Sequence, residues 1–185
     1  MKIGIFGPLC SGKSTLANYI IYYMEATYYE KFTKFSFASM IYQIAYNLFD
    51  MKEKDRKLLQ DIGRKMRDID EDIFTKHTMK ICNQPNTNVI IEDARLLSEF
   101  NAMVENNFLL IYLEISPEKQ IERIKKTYPD NYQQHIENLH HSSEQELAKL
   151  PRDKFHLVID MYTQEEKINE IIEAFITEKL QKTLL

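Results

Sequence analysis

Gly7-Pro8-Leu9-Cys10-Ser11-Gly12-Lys13-Ser14 spells G-x-x-x-x-G-K-S, a phosphate-binding pattern whose meaning depends on what flanks it. Upstream, the apolar run Ile3-Gly4-Ile5-Phe6 reads as a buried strand. Downstream, Leu16, Ile20 and Met24, with Ala17 and Ile21 beside them, recur at helical spacing. Strand, glycine-rich loop and helix are the context the pattern requires. Gly7 and Gly12 allow the backbone between them to curl, so that the N–H groups around Leu9, Cys10 and Ser11 can converge on one anion. The helix beginning near Lys13 adds the positive end of its dipole. Lys13 can then reach the β- and γ-phosphates, Ser14 can ligate Mg²⁺, and Thr15 can touch the α-phosphate. The expected ligand is a nucleoside triphosphate.

Composition narrows the setting. A chain of 185 residues with 44% hydrophobic and 28% charged residues suits one globular domain with a full core. A net charge of −4 without a basic block argues against a nucleic-acid partner. The two cysteines, Cys10 and Cys82, have no zinc spacing, which fits a reducing, cytoplasmic environment. Within the loop, Cys10 is expected to fill space rather than react. Met1-Lys2-Ile3 leads directly into the first strand, so no signal peptide is expected, and no apolar run is long enough to span a membrane.

Strands and helices alternate along the chain. Strands are expected at 32–37, 89–93, 108–114 and 155–159 in addition to the first. Helices are expected at about 13–29, 38–49, 55–69, 71–82 and 96–106, then from Ser116-Pro117 onward, and finally along the stripe Ile168, Ile171, Ile172, Phe175, Ile176 and Leu180. In the helix over 71–82, Ile73, Phe74, His77 and Ile81 are expected on one side. The tyrosines of the first helix are expected to pack half-buried with wet hydroxyls. The stretch 130–141 is polar and poorly periodic. This alternation predicts a three-layer α/β/α sandwich around a five-stranded parallel sheet, with the ligand at the carboxyl ends of the strands.

A Mg²⁺ held by Ser14 needs a carboxylate at the end of a neighbouring strand. Glu92 and Asp93 close the run V-I-I-E-D, and strand alternation lets only one of them face the loop. Asp93, at the mouth, is the expected metal-side acid, and its plain alternative is an N-cap for the following helix. Arg95, two residues on, offers a fork for a phosphate. With no N-K-x-D for guanine reading and no second lobe for a motor, a small kinase remains. A phosphate acceptor would need cations and no base, whereas a hydroxyl acceptor would need a positioned base.

Several blocks recur in one order along nearly the whole chain: GPLCSGKSTLA, F-S-F-A-S, L-L-Q-D-I-G-R-K-M-R-D-I-D, V-I-I-E-D-A-R-L-L-S-E, H-S-S-E-Q-E-L and F-H-L-V-I-D. That order resembles the phage-type deoxynucleoside monophosphate kinase family, itself similar to animal-type phosphomevalonate kinases. The resemblance implies a nucleoside monophosphate kinase fold that uses ATP and Mg²⁺, with acceptor helices at about 38–83 and a lid at about 123–141. It implies that Lys13, Arg95, Arg123 and Lys126 act in transfer, and that Lys34, Arg64, Arg67, Asp68, Arg95, Ser143 and Glu144 meet the acceptor. Two departures stand out. Relatives commonly carry A-D-P-L-K-E after strand two, where this chain has Ala38-Ser39-Met40-Ile41-Tyr42-Gln43, and an Asn after strand five, where it has Asp160. Rival readings are a kinase of the phosphomevalonate or dephospho-coenzyme A type and a non-catalytic nucleotide binder. The partner expected is a small molecule, with a homodimer left open.

Overall fold

The computed structural model describes residues 1–85, 87–137, 139 and 142–183. Five parallel strands form one sheet in the order β2-β3-β1-β4-β5: β1 Lys2–Phe6, β2 Thr33–Phe35, β3 Val89–Ile91, β4 Leu109–Glu114 and β5 Leu157–Asp160. β1 is flanked by β3 and β4, with Gly4 opposite both Ile91 and Leu110. The chain therefore leaves β1 toward one edge of the sheet and later returns toward the other. Such a reversal opens a crevice beyond the carboxyl ends of the central strands. The loop after β1 and the acids after β3 both lie at that end.

The sheet is buried on both faces, and the strand residues divide by strict alternation. Ile3, Ile5, Ile90, Ile111 and Leu113 point to one face, packed by α1 (Lys13–Tyr28) and α9 (Glu165–Thr183). Phe6, Val89, Ile91, Leu110 and Tyr112 point to the other. There they meet α4 (Ile73–Cys82), α5 (Leu97–Glu105) and α8 (Ser142–Lys149) through Met79, Phe100, Met103 and Leu147. A third cluster, with Ile41, Ala45, Ile62 and Phe74, joins α4 to α2 (Ser39–Phe49) and α3 (Arg56–Ile69) beside the sheet. Among the described residues the other α-helices are α6 (Pro117–Thr127) and α7 (Tyr132–Glu137).

The expected three-layer sandwich is the fold observed, with differences that have physical causes. β2 is only three residues long, because it is an edge strand paired on one side alone. α4 turns Phe74, Thr75, Thr78, Met79 and Cys82 inward; the expected Ile73 packs half-buried against the Ile41 cluster, while the expected His77 and Ile81 are only half-buried. Two buried threonines hide that stripe from any reading based on apolar spacing. α8 had no periodic signature, since only Leu147 in its eight residues is a large aliphatic side chain. The tyrosines of α1 are less uniform than expected. Tyr22 and Tyr29 are exposed, but the Tyr19 hydroxyl bonds Glu173 and Tyr28 pairs with Thr177 at 2.9 Å, so these hydroxyls tie α1 to α9.

Phe155 lies just ahead of β5, where its ring makes edge or tilted contacts with Phe6, Phe100 and Tyr112 at 5.1–5.4 Å between centroids. Phe155→Ala is expected to cost roughly 3–5 kcal/mol, the usual loss for a core aromatic. A fall in the denaturant midpoint with an unchanged slope would show it.

Candidate active site

Gly7 has φ 150°, Cys10 φ 60° and Gly12 φ 100°, so three of the loop's residues lie where L side chains are strained. At Gly7 a Cβ would also lie 2.6 Å from Ser11 Oγ and 2.9 Å from the Leu113 carbonyl oxygen. Only glycine fits there. Gly12 caps α1 with no side-chain hydrogen bond, and the first turn holds no acid, so the helix presents bare amides and its positive end. Ser14 and Thr15 are exposed in that turn.

The loop's carbonyls are held by side-chain donors. Lys13 Nζ donates to the carbonyls of Gly7 and Pro8 at 2.7 and 2.8 Å. From α6, Gln120 Nε2 donates to Leu9 at 2.9 Å, and Arg123 Nη1 to Cys10 and Ser11 at 3.3 and 3.2 Å. Gln120 is buried and was not singled out from sequence. Its one signal there is a polar residue on the apolar face of an amphipathic helix. Burial holds the Cys10 thiol above its ordinary range, the opposite of an activated thiolate, consistent with the space-filling role expected of it.

A cavity of about 1000 Å³ opens in front of the loop. Leu9, Cys10, Gly12, Lys13, Ser14 and Thr15 form its floor. Glu92, Asp93 and Arg95 line one wall and Lys119, Arg123 and Lys126 another, with Met161 and Thr163 beyond β5 closing the rim. Burial first, and the nearby Arg95 cation second, lower the Lys13 ammonium to about 8.

The two acids after β3 have different surroundings. Asp93 Oδ2 accepts from the Ser36 hydroxyl and from Ala38 N at 3.3 Å, and Oδ1 accepts from Phe37 N at 3.2 Å. Asp93 thus fastens the corner between β2 and α2, and it does not cap α5. That task falls to Glu99, whose Oε2 accepts from Arg95 N at 2.8 Å and Leu96 N at 3.0 Å. Burial pushes the Glu99 carboxyl up to about 7 even against these two amides. Glu92 Oε1 pairs with Lys34 Nζ at 2.6 Å, while Oε2 is buried without a partner among the described residues. Both Asp93 oxygens are thus engaged, whereas this Glu92 oxygen and the Ser14 hydroxyl are hard oxygen donors of the kind Mg²⁺ takes, both lining the cavity described above.

Not every expected acceptor residue reaches the cavity. Lys34 is tied to Glu92 and, at 3.3 Å, to Asn18. Arg64 pairs with Asp61 on an exposed face of α3, and Asp68 is exposed in the same helix. Arg67 lies over the Phe74 ring, 5.1 Å from its centroid. Gly63 leaves room there, since a Cβ would come within 3.1 Å of Arg67 Nη1. Glu144 meets Arg95 rather than open space. The Ser143 side chain and residues 138, 140 and 141 of the expected lid lie outside the described residues. Asp160 accepts from Tyr162 N at 2.9 Å and borders a separate cavity of about 360 Å³ with Glu114 and Arg152.

The loop, the sheet order and the crevice define a P-loop nucleotide-binding protein with a kinase-like fold. Residues 3–149 match the family model described as AAA domain, and the chain belongs to that family. Among curated proteins no sequence matches. TT1252 from Thermus thermophilus superposes with a TM-score of 0.62 at 14% identity, over 96% of this chain and 97% of that one. Shikimate kinase from Acinetobacter baumannii, in complex with shikimate, gives 0.54 at 12%, over 100% and 95%. Deoxyadenosine kinase from M. mycoides, with the products dCMP and dCDP, gives 0.52 at 21%, over 96% and 100%. At these identities the likeness concerns the fold. Among the described residues no helix is long and apolar enough to cross a membrane.

Two measurements test the site. Polyphosphate binds the ammonium form of Lys13 and raises its pKa again. Affinity should therefore be full below pH about 8 and fall above it, by up to about tenfold per pH unit, with proton uptake on binding. Calorimetric titration of ATP in buffers of different ionisation enthalpy, from pH 7 to 9.5, reads both. Asp93→Asn would turn a donor toward amide hydrogens, so it should lower stability by about 1–3 kcal/mol without any nucleotide or metal present. An unchanged melting temperature would remove the corner-fastening role.

Proposed function

We propose that the protein is a Mg²⁺-dependent kinase that transfers the ATP γ-phosphoryl group to the phosphate of a deoxynucleoside 5′-monophosphate. The observation that carries this reading is Arg95 on the wall of the cavity, close enough to the Lys13 ammonium to lower its pKa, within the D-A-R block of the family resemblance. Two cations set in one crevice, one from the loop and one from the opposite wall, suit two polyanions meeting end to end.

In this reading the amides of the loop and of the first turn of α1 hold the donor phosphates, and Lys13 exchanges its carbonyl partners for phosphate oxygens. Ser14 and the acids after β3 would hold Mg²⁺, which neutralises phosphate charge when bound. Arg95 orients the acceptor phosphate, while Arg123 and Lys126 offset charge from the side of α6. Helices within 38–83 would form the acceptor wall and residues 123–141 the lid. An acceptor phosphate is already ionised, so no base is required.

One observation favours a second reading. The unpartnered, buried Glu92 oxygen at the cavity wall could take a proton from a hydroxyl acceptor. The phosphate reading ranks first because Arg95 shares that wall and would pair less usefully with a neutral hydroxyl.

The test is a panel of acceptors with ATP and Mg²⁺: the four deoxynucleoside monophosphates, deoxynucleosides, shikimate and phosphomevalonate. Transfer to a deoxynucleoside monophosphate is the expected result. Transfer to hydroxyl acceptors alone would move the assignment to the second reading, and ATP binding without any transfer would leave a nucleotide-binding subunit. Within the first reading, Arg95→Lys keeps the charge and loses the fork. It should raise the acceptor KM about tenfold or more while the ATP KM moves less than about twofold. A change confined to ATP would place the acceptor elsewhere.

A further inference from the structure

Arg95 is the residue the phosphate-acceptor reading depends on, and a lone arginine on a loop has many rotamers. Here it is held at both ends. Its backbone N–H is fixed by buried Glu99 at 2.8 Å, the first contact of α5. Its guanidinium is met by Glu144, which bonds Nη1 from α8. The Glu144 side chain is 9% exposed, against 37% for Arg95. The carboxylate is therefore the fixed partner and the guanidinium the adjustable one. Glu144 is fixed because α8 is anchored. Leu147 and Leu150 are buried in the core cluster that includes Phe6, Phe100 and Tyr112, and Glu146 Oε2 accepts from Leu97 N at 3.4 Å.

We infer that Glu144 is a positioning residue, which acts through Arg95 by holding one edge of the guanidinium and turning the rest of the fork to the acceptor. This rests on the phosphate-acceptor reading. Glu144 contacts Arg95 through Nη1 alone among the described residues, and an arginine has four further N–H donors. A fork fixed in this way loses less freedom on meeting a planar set of phosphate oxygens, so the effect falls on acceptor binding. The pair also keeps the crevice from carrying too much positive charge. Arg95 disfavours the Lys13 ammonium and Glu144 favours it, so the two act on the donor lysine in opposite senses.

The test is a two-substrate kinetic grid at pH 7.0, below the value of Lys13, on the wild type, Glu144→Gln, Glu144→Asp and Glu146→Gln. Glu144→Gln should raise the acceptor KM about tenfold with the ATP KM within about twofold, and Glu144→Asp should recover part of the loss. Glu146→Gln, which touches only the docking of α8, should leave both constants within about twofold. An acceptor KM that is unchanged or lower in Glu144→Gln would overturn the inference. The same loss in Glu146→Gln would overturn it too, by tracing the effect to helix docking. A second readout needs no turnover: the Arg95 Nη1–H resonance in ligand-free protein, the group that Glu144 holds. It should be sharp and slowly exchanging in the wild type and Glu146→Gln, and averaged in Glu144→Gln. Averaging in the wild type would sink the inference even if monophosphates are phosphorylated. A sharp wild-type signal lost in Glu144→Gln would sustain the positioning even if the acceptor proves to be something else.

Discussion

A loop that offers its amides to an anion has to do something with its carbonyls. In this chain all five carbonyls from Gly7 to Ser11 accept from side chains: two from Lys13, one from Gln120 and two from Arg123. Carbonyl oxygens turned toward the ligand would repel phosphate, and buried ones without partners would destabilise the turn. Here side-chain donors satisfy them, Gln120 and Arg123 from α6 and Lys13 from the loop itself. This also gives α6 a task at the loop, since that helix supplies both Gln120 and Arg123. The positive end of α1, left uncapped at Gly12, can then act on whatever occupies the crevice.

The same economy of contacts holds on the wall that follows β3. Asp93 joins the end of β3 to the start of α2 through Ser36, Phe37 and Ala38, and Glu99 joins the following loop to α5. This side of the crevice is therefore not a loose set of loops: its corner is fixed to the end of β3, the neighbour of the strand that carries the phosphate loop. The chain departs from the A-D-P-L-K-E pattern of the kinases it resembles at Ser39-Met40, directly after that corner, so the change in sequence begins where the fixed geometry ends.

How far the sequence foretold this depended on the kind of signal. The loop was legible because glycine, lysine and serine at fixed spacing have few other uses, and the sheet because Ile3, Ile5, Val89 to Ile91 and Leu109 to Leu113 are apolar without interruption. The side chains that hold the loop were not equally visible. Gln120 shows in the sequence only as a polar residue on the apolar face of its helix, and its burial against Leu9 gives that weak signal its meaning. α8 was missed because its anchoring falls on two leucines and two glutamates rather than on a periodic stripe. Lys34 and Arg64 show the reverse failure. Cations on the expected side of the chain turned out to be paired with Glu92 and Asp61. A sequence shows which charges exist but not which carboxylate sits next to them.

The grip of α6 on the loop limits how the neighbouring segment can move. A helix bolted to loop carbonyls at Gln120 and Arg123 is masonry at that end, and its fulcrum must lie beyond the second bolt. From Arg123 to Thr127 is four residues, a lever arm of roughly 6 Å at the helical rise. α7 rides on that arm, because Tyr128 stacks on His135 and Lys125 sits over the Tyr132 ring. If the proposed kinase closes over its cavity, the closure would be a short swing of the last turn of α6 together with α7, and Lys126 is the cation that the swing would carry. Arg123 would stay with the loop at every angle of the swing.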